Sequence, residues 1–192
     1  MKAGRMEEKN SGAMKKALLL VLALAVPSLL YANEQWVLVK STLTYHVSHP
    51  LHEADGVSHE ARGKGACAAD HCDFLIGVPV KSFESGDSNR DLHMIEVVRG
   101  AEFPMVAVRT SLPAAEIKPG TVHADLEIQF AGQTAQYKQV AFQLSEKGDE
   151  ITLTGTIPAT VSDFKIEPPK LLMMPIKNEI PVRVEMTWKE QK

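Results

Sequence analysis

VHADLEIQFAGQ, residues 122–133, alternates apolar and polar side chains over nine positions and then halts at a turn. Val122, Ala124, Leu126, Ile128 and Phe130 share one side; His123, Asp125, Glu127 and Gln129 share the other. Successive side chains of an extended chain point to opposite faces, so this period of two predicts a strand with one buried face and one wet face. Ala131-Gly132-Gln133 supplies a tight turn, and Val140, Phe142 and Leu144 resume the pattern on the way back. Lys147-Gly148-Asp149 then turns the chain into Ile151, Leu153 and Ile157. The last strand is the plainest, with Ile180, Val182, Val184, Met186 and Trp188 set against Pro181, Arg183, Glu185, Thr187 and Lys189.

The first half follows the same rule less regularly. Trp36 and Leu38, then Leu43, Tyr45 and Val47, mark a long strand whose phase slips near Lys40-Ser41, as a bulge would make it. Val57 to Ala66 is polar and carries Gly63 and Gly65; Phe74 to Val80 is a compact apolar run ending around Pro79; Met105 to Thr110 alternates again. Long antiparallel strands joined by tight turns predict an all-β meander closed into a barrel, because closure removes exposed edges. A two-sheet sandwich satisfies the same alternation.

One segment breaks the rhythm. SFESGDSNRDLHMIEVVRGAEFP, residues 82–104, predicts a single short helix, with Ser88 or Asn89 as its cap, Asp91 in its first turn and Gly100 ending it in the left-handed conformation. Leu92, Met94, Ile95 and Val98 make its apolar stripe.

Met14-Lys15-Lys16, the apolar run Ala17 to Val26 and the small residue Ala32 predict a secretory signal over residues 1–32, cleaved near Ala32, whether the chain starts at Met1 or Met14. Residues 33–192 then form one domain, periplasmic or secreted. Removing residues 1–32 takes five basic and two acidic side chains from a chain of formal charge −3, leaving −6. An acidic domain without clustered Lys and Arg among aromatics is a poor nucleic-acid binder. In an oxidising compartment Cys67 and Cys72 predict a disulfide clipping a hairpin; a metal or redox pair helped by His71 is the alternative.

The order of these parts resembles the YceI-like family of exported, lipocalin-like barrels. The likeness runs through Thr42 to His49, Gly56 to Gly65, Asn89-Arg90-Asp91-Leu92-His93-Met94, Glu102-Phe103-Pro104, the hairpin with Leu126, Ile128 and Gly132, and Asp163-Phe164-Lys165-Ile166. Cys67/Cys72 and the hairpin Gln133-Thr134-Ala135, which lacks a basic residue, depart from the family pattern. The resemblance implies an eight-stranded antiparallel barrel with one inserted helix, holding a long-chain isoprenoid or similar amphiphilic lipid without catalysis.

Such a barrel has room for its own side chains or for one slender guest. Tyr45, Val47, Phe74, Phe83, Met94, Val97, Phe103, Phe130, Phe142, Met173 and Met174 are the candidate apolar lining, and Leu171-Leu172-Met173-Met174 after Pro168-Pro169 reads as an apolar flap over an opening. Arg90 and His93 are candidates to hold a polar headgroup. A hydrolase reading, with His93 as base and Asp91 orienting it, lacks a nucleophile elbow. The histidines from His46 to His59 suggest a second function, haem or metal binding, with His49, His52 and His59 as ligands. No cofactor is expected beyond a bound lipid. The partners that fit are that lipid, transient contact with a membrane or membrane protein, and a second copy in a homodimer.

Overall fold

A computed structural model of the chain describes residues 35–191; the expected signal segment and its cleavage point near Ala32 lie outside them. In chain order the strands are β1 (Gln35–His49), β2 (His52–Ser58), β3 (Arg62–Ala68), β4 (His71–Pro79), β5 (Met105–Pro113), β6 (Gly120–Phe130), β7 (Gln133–Lys147), β8 (Glu150–Ile157), β9 (Lys170–Leu171), β10 (Met174–Pro175) and β11 (Val182–Gln191). Helix α1 (Ser88–Val97) separates β4 from β5.

The main sheet runs β11-β8-β7-β6-β5-β4-β3-β1, and β1 pairs back onto β11, so the sheet closes. β2 occupies the same track as β3. β3 pairs with β1 from Gln35↔Ala66 to Val37↔Lys64, and β2 pairs with it from Leu43↔Ser58 to His49↔His52. The strand expected over Val57 to Ala66 is therefore two, interrupted between Ser58 and Arg62. The architecture is an eight-stranded antiparallel barrel with one α-helix, as the resemblance implies, and the closure of β1 on β11 excludes the sandwich that the alternation leaves open.

Two bulges let the strands curve around the closed sheet. β1 slips its register on β11 between Leu38 and Lys40, one step before the slip read from the sequence. β7 slips against β6 around Gln139, whose φ of 53° puts it in the left-handed region. The Asp125 carboxylate holds that kink by accepting from the Gln139 amide at 2.9 Å and the Lys138 ammonium at 3.0 Å.

Inward positions follow the alternation. Val122, Ala124, Leu126 and Ile128 of β6, Val140, Phe142 and Leu144 of β7, and Val184, Met186 and Trp188 of β11 are all buried. β3 places only Gly63 and Gly65 inward ahead of Cys67, and the space is taken by Trp188 over Gly63 and Phe74 over Gly65. Those two rings meet edge to face at 5.1 Å between centroids, a favoured aromatic geometry. The two rings fill the space that the glycines leave. Cys67 and Cys72, opposite each other across β3 and β4, form the expected disulfide.

Helix α1 is capped differently from the sequence reading. Asp87, not Ser88 or Asn89, is the N-cap; its carboxylate accepts from the Asn89 and Arg90 amides at 2.9 and 3.1 Å. These bonds favour the ionised form and hold the Asp87 carboxyl below its usual range. At the other end Arg99 (φ 56°), not Gly100, takes the left-handed conformation. Gly100 is required for closeness instead: a β-carbon there would crowd Ile95 and Val80. The expected stripe is narrower than four residues, since Leu92 is 60% exposed while Val98 is buried and Met94 packs on the core.

Candidate functional site

Half-buried inward side chains lie at both ends of the barrel: Trp36, Leu38 and Phe74 at the end away from the helix, and a larger set at the helix end. At the helix end the inward side chains are Tyr45 and Val47 of β1, Val106 and Val108 of β5, Phe130 of β6, Tyr137 of β7 and Val182 of β11. All of them are half-buried, although the strands aim them at the interior. Apolar surface that faces inward and stays partly accessible marks the helix end as the candidate entrance for one slender ligand in a barrel of this strand number.

Aromatic rings frame that opening. Tyr45 lies against Phe83 with centroids 5.5 Å apart, and Phe130 meets Phe164 edge to face at 5.3 Å. Phe83 and Phe164 are buried, and Met94 comes down from α1 onto the same cluster. Tyr137 and Phe164 are not among the expected lining residues. The spacing of Ala135 and Tyr137 continues the inward phase of β7, but the kink at Gln139 hides it from a reading that counts back from Val140.

A polar network borders the aromatics. Arg90 donates from Nε to the Ser85 hydroxyl at 2.8 Å and from a terminal nitrogen to the Ser85 carbonyl at 3.1 Å. The Asp91 carboxylate accepts from the Ser85 amide at 2.9 Å and from its hydroxyl at 2.5 Å. Arg90 and Asp91 thus clamp the loop before α1. Burial raises the Tyr45 hydroxyl above its ordinary value, the Asp91 carboxylate adds to this, and Arg90 opposes it. The Tyr45 phenol, at the rim of the opening, is therefore within the field of this pair. On the far side Tyr137 donates to Asp163 at 2.7 Å; burial first, then that bond, pushes its hydroxyl up.

The remaining expected residues are dispersed. Phe74 and Phe142 belong to the filled part of the core, Phe142 lying over Gly155. Phe103 covers Gly132 in the β6–β7 turn, beneath the Arg99 guanidinium at 4.7 Å. Val97 is half-buried, and its neighbour Val98 is the buried one. Met174 is half-buried, whereas Met173 is 90% exposed. His93 is exposed, 3.8 Å from Glu96 on its own helix, and Asp91, its expected orienter, bonds to Ser85 instead.

The histidines do not converge. His46 bonds to Asp55 at 2.8 Å, and the His59 ring contacts the Ser41 carbonyl and the Thr42 hydroxyl at 3.2 Å. His49 and His52 lie with ring centroids 5.1 Å apart. Yet the ladder that sets His49 opposite His52 sets Leu43 opposite Ser58, which leaves His59 roughly 20 Å along the strand from His49. Among the described residues no three His, Cys, Asp or Glu side chains are grouped to hold a metal ion.

Two grooves of about 650 and 590 Å³ lie elsewhere; Lys64, Asp73, Arg109 and Glu127 line the first, and Glu116, Lys118 and His123 the second. Neither includes a residue of the aromatic opening. In the first, Arg109 and Gln136 already satisfy Glu127.

No family model matches the sequence, and no curated protein does. Solved structures do resemble the fold. A polyisoprenoid-binding domain from Saccharophagus degradans, implicated in plant cell wall breakdown, is 13% identical and superposes with a TM-score of 0.64 over 81% of this chain and 98% of its own. BcnA from Burkholderia cenocepacia is 14% identical and reaches 0.64 over 77% and 95%. By its strand order, its closure and these superpositions, the chain has the lipocalin-like barrel fold of these two structures.

Proposed function

We propose that this chain is an exported, non-enzymatic carrier of the YceI-like kind, holding a long-chain isoprenoid or similar amphiphilic lipid at the helix end of its barrel. The observation that carries the reading is the half-open apolar lining there, Tyr45, Val47, Val106, Phe130 and Val182, in a fold also adopted by a polyisoprenoid-binding domain. Lipid tails need contact surface, not chemistry, and the polar groups bordering the opening are engaged, Arg90 and Asp91 with the loop before α1 and Tyr137 with Asp163. Tyr45, whose hydroxyl feels the charges of Asp91 and Arg90, orients the polar head in this reading. Export rests on the basic and apolar pattern of Met14 to Val26.

Native mass spectrometry of the protein recovered from its own host tests the reading. The expected spectrum carries an added mass that dissociates as an amphiphilic lipid. A protein that emerges with no adduct, and takes up none when mixed with polyprenyl lipids, is not a carrier of this kind.

A further inference from the structure

Beside the opening, β9 and β10 form a small hairpin separate from the hydrogen-bonded sheet of the barrel. It is fastened to the end of β1. His49 donates from Nε2 to the Met174 carbonyl at 3.1 Å, and the Lys177 amide donates to the Ser48 carbonyl at 2.8 Å. Beyond that latch the tip residues Leu172 and Met173 are 73% and 90% exposed, and Leu51, two residues past His49, is 57% exposed. Leu172 and Met173 hold φ values of 50° and 69°, in the left-handed region that bulky residues avoid. These two residues are the two-residue turn of the hairpin, and that turn leaves both apolar side chains out in water.

We propose that this tip docks the protein on an anionic lipid bilayer. Three side chains fall well short of the roughly 800 Å² a side that a stable protein pairing needs. A narrow apolar wedge suits the boundary between headgroups and acyl chains instead, where each aliphatic group inserted leaves water without a shaped partner. Charge agrees with an anionic surface. Between Glu167 and Glu179 the chain carries Lys170 and Lys177 and no carboxylate, with Lys165 just before; Lys170 is 3.8 Å from Glu167, an exposed pair that leaves Lys165 and Lys177 to supply most of the positive charge, in a protein whose net charge is −3. Lysines beside an inserted apolar tip add attraction to anionic headgroups. The docking does not depend on what the barrel holds, so it stands apart from the carrier reading.

A tryptophan placed at the tip reads insertion locally. The full chain carrying Leu172→Trp is mixed with phosphatidylcholine/phosphatidylglycerol vesicles whose acyl chains are brominated, and compared with Leu75→Trp on the outer wall, where Leu75 is 51% exposed. The expected result is a blue shift and strong quenching for Leu172→Trp only, with at least tenfold weaker vesicle dependence when Met173→Glu is added. Residues 1–34 are common to every variant, so any binding they contribute cannot produce the difference. Equal quenching at the two positions, or none at either, overturns the proposal. So does a blue shift of the tip indole that grows with protein concentration in the absence of vesicles, which would assign the tip to a second copy. Lipid uptake measured by mass spectrometry in the same samples reports on the carrier reading separately.

Discussion

The indole of Trp188 lies over Gly63, with Cη2 2.5 Å from where a β-carbon would stand. Glycine in a strand ordinarily costs about 0.5–1 kcal/mol relative to alanine. Here the sign reverses, because Trp188 is 6% exposed and wedged against Phe74, so the added methyl has nowhere to push it. Gly63→Ala should lose about 1–3 kcal/mol in urea unfolding, the usual cost of overpacking. Combining it with Trp188→Leu should recover part of that loss, since the two changes share one space. Additive losses in the double variant would mean that the ring is not what excludes the β-carbon.

If the helix end is the cargo site, filling it should empty the protein of lipid without unfolding it. Val106 faces inward there and is half-buried, so Val106→Trp can place its ring in the opening at a limited packing cost of about 1–3 kcal/mol. Adducts in native mass spectra should fall at least tenfold while the far-ultraviolet circular dichroism is retained. The equivalent change on the outer wall, Leu75→Trp, should leave the adducts unchanged.

What can be read from the sequence, and what cannot, divides by the range of the forces involved. The alternation of β6 and β11 is legible because the period of two is a local property, and the disulfide because Cys67 and Cys72 flank a turn. The cap of α1 is ambiguous in sequence because Asp87, Ser88 and Asn89 all have oxygens able to accept from the first free amides. Gly100 has the look of a left-handed terminator, but its reason lies in the closeness of Val80, which belongs to another segment. The burial of Trp188 over Gly63 depends on β11 meeting β1 at the closure, and no local pattern contains that register. The histidines look like a cluster because they are dense in sequence; the β1–β2 ladder separates His49 from His59.

The Cys67–Cys72 bond closes a loop of only five sequence steps, so its effect on the unfolded chain is small beside that of a long-range bridge. Replacing both cysteines by alanine should lower stability by about 2 kcal/mol on the loop-entropy account, with the fold kept. Both sulfurs are buried, so single replacements that leave a lone thiol should behave similarly and remain unreactive toward thiol reagents until unfolding. Failure of the double variant to fold would show that the bridge does more than close this turn.

His49 is 5% exposed and uses both ring nitrogens: Nδ1 accepts from the Leu51 amide at 3.1 Å while Nε2 donates to the Met174 carbonyl. That pair of bonds selects one neutral tautomer. His49→Ala removes partners from two backbone groups at once, so both the turn after β1 and the β9–β10 hairpin should loosen. Hydrogen exchange at the Leu51 and Lys177 amides should accelerate at least tenfold, with the Val140 and Leu144 amides of the barrel wall unaffected. Uniform acceleration would place His49 in the global core and not at a local latch.

Tyr137 and Asp163 should leave a signature at both ends of the pH range. The Tyr137 bond lowers the Asp163 carboxyl in the folded state below its ordinary value of 3.8, so its stabilisation is present above that value and is lost as pH falls through the folded one. Tyr137 itself is raised above 10.0, first by burial and then by Asp163. Its contribution is full below pH 10.0, and stability declines as pH rises above that, where the unfolded chain ionises first. Tyr137→Phe removes the bond and one titrating group, so the variant should be less stable at neutral pH by about 1 kcal/mol. Its deficit should shrink in acid, where Asp163 is protonated in both proteins, and shrink again above pH 10.0. Asp87 and Asp125 are also held low, so the acid limb should be softened and not abolished; Tyr45, still raised by burial, should preserve part of the alkaline one. Melting temperatures of the two proteins across pH decide the matter, because a deficit that stays constant from acid to alkali would show packing of the ring, and not its hydroxyl, to be what joins β7 to the Asp163 turn.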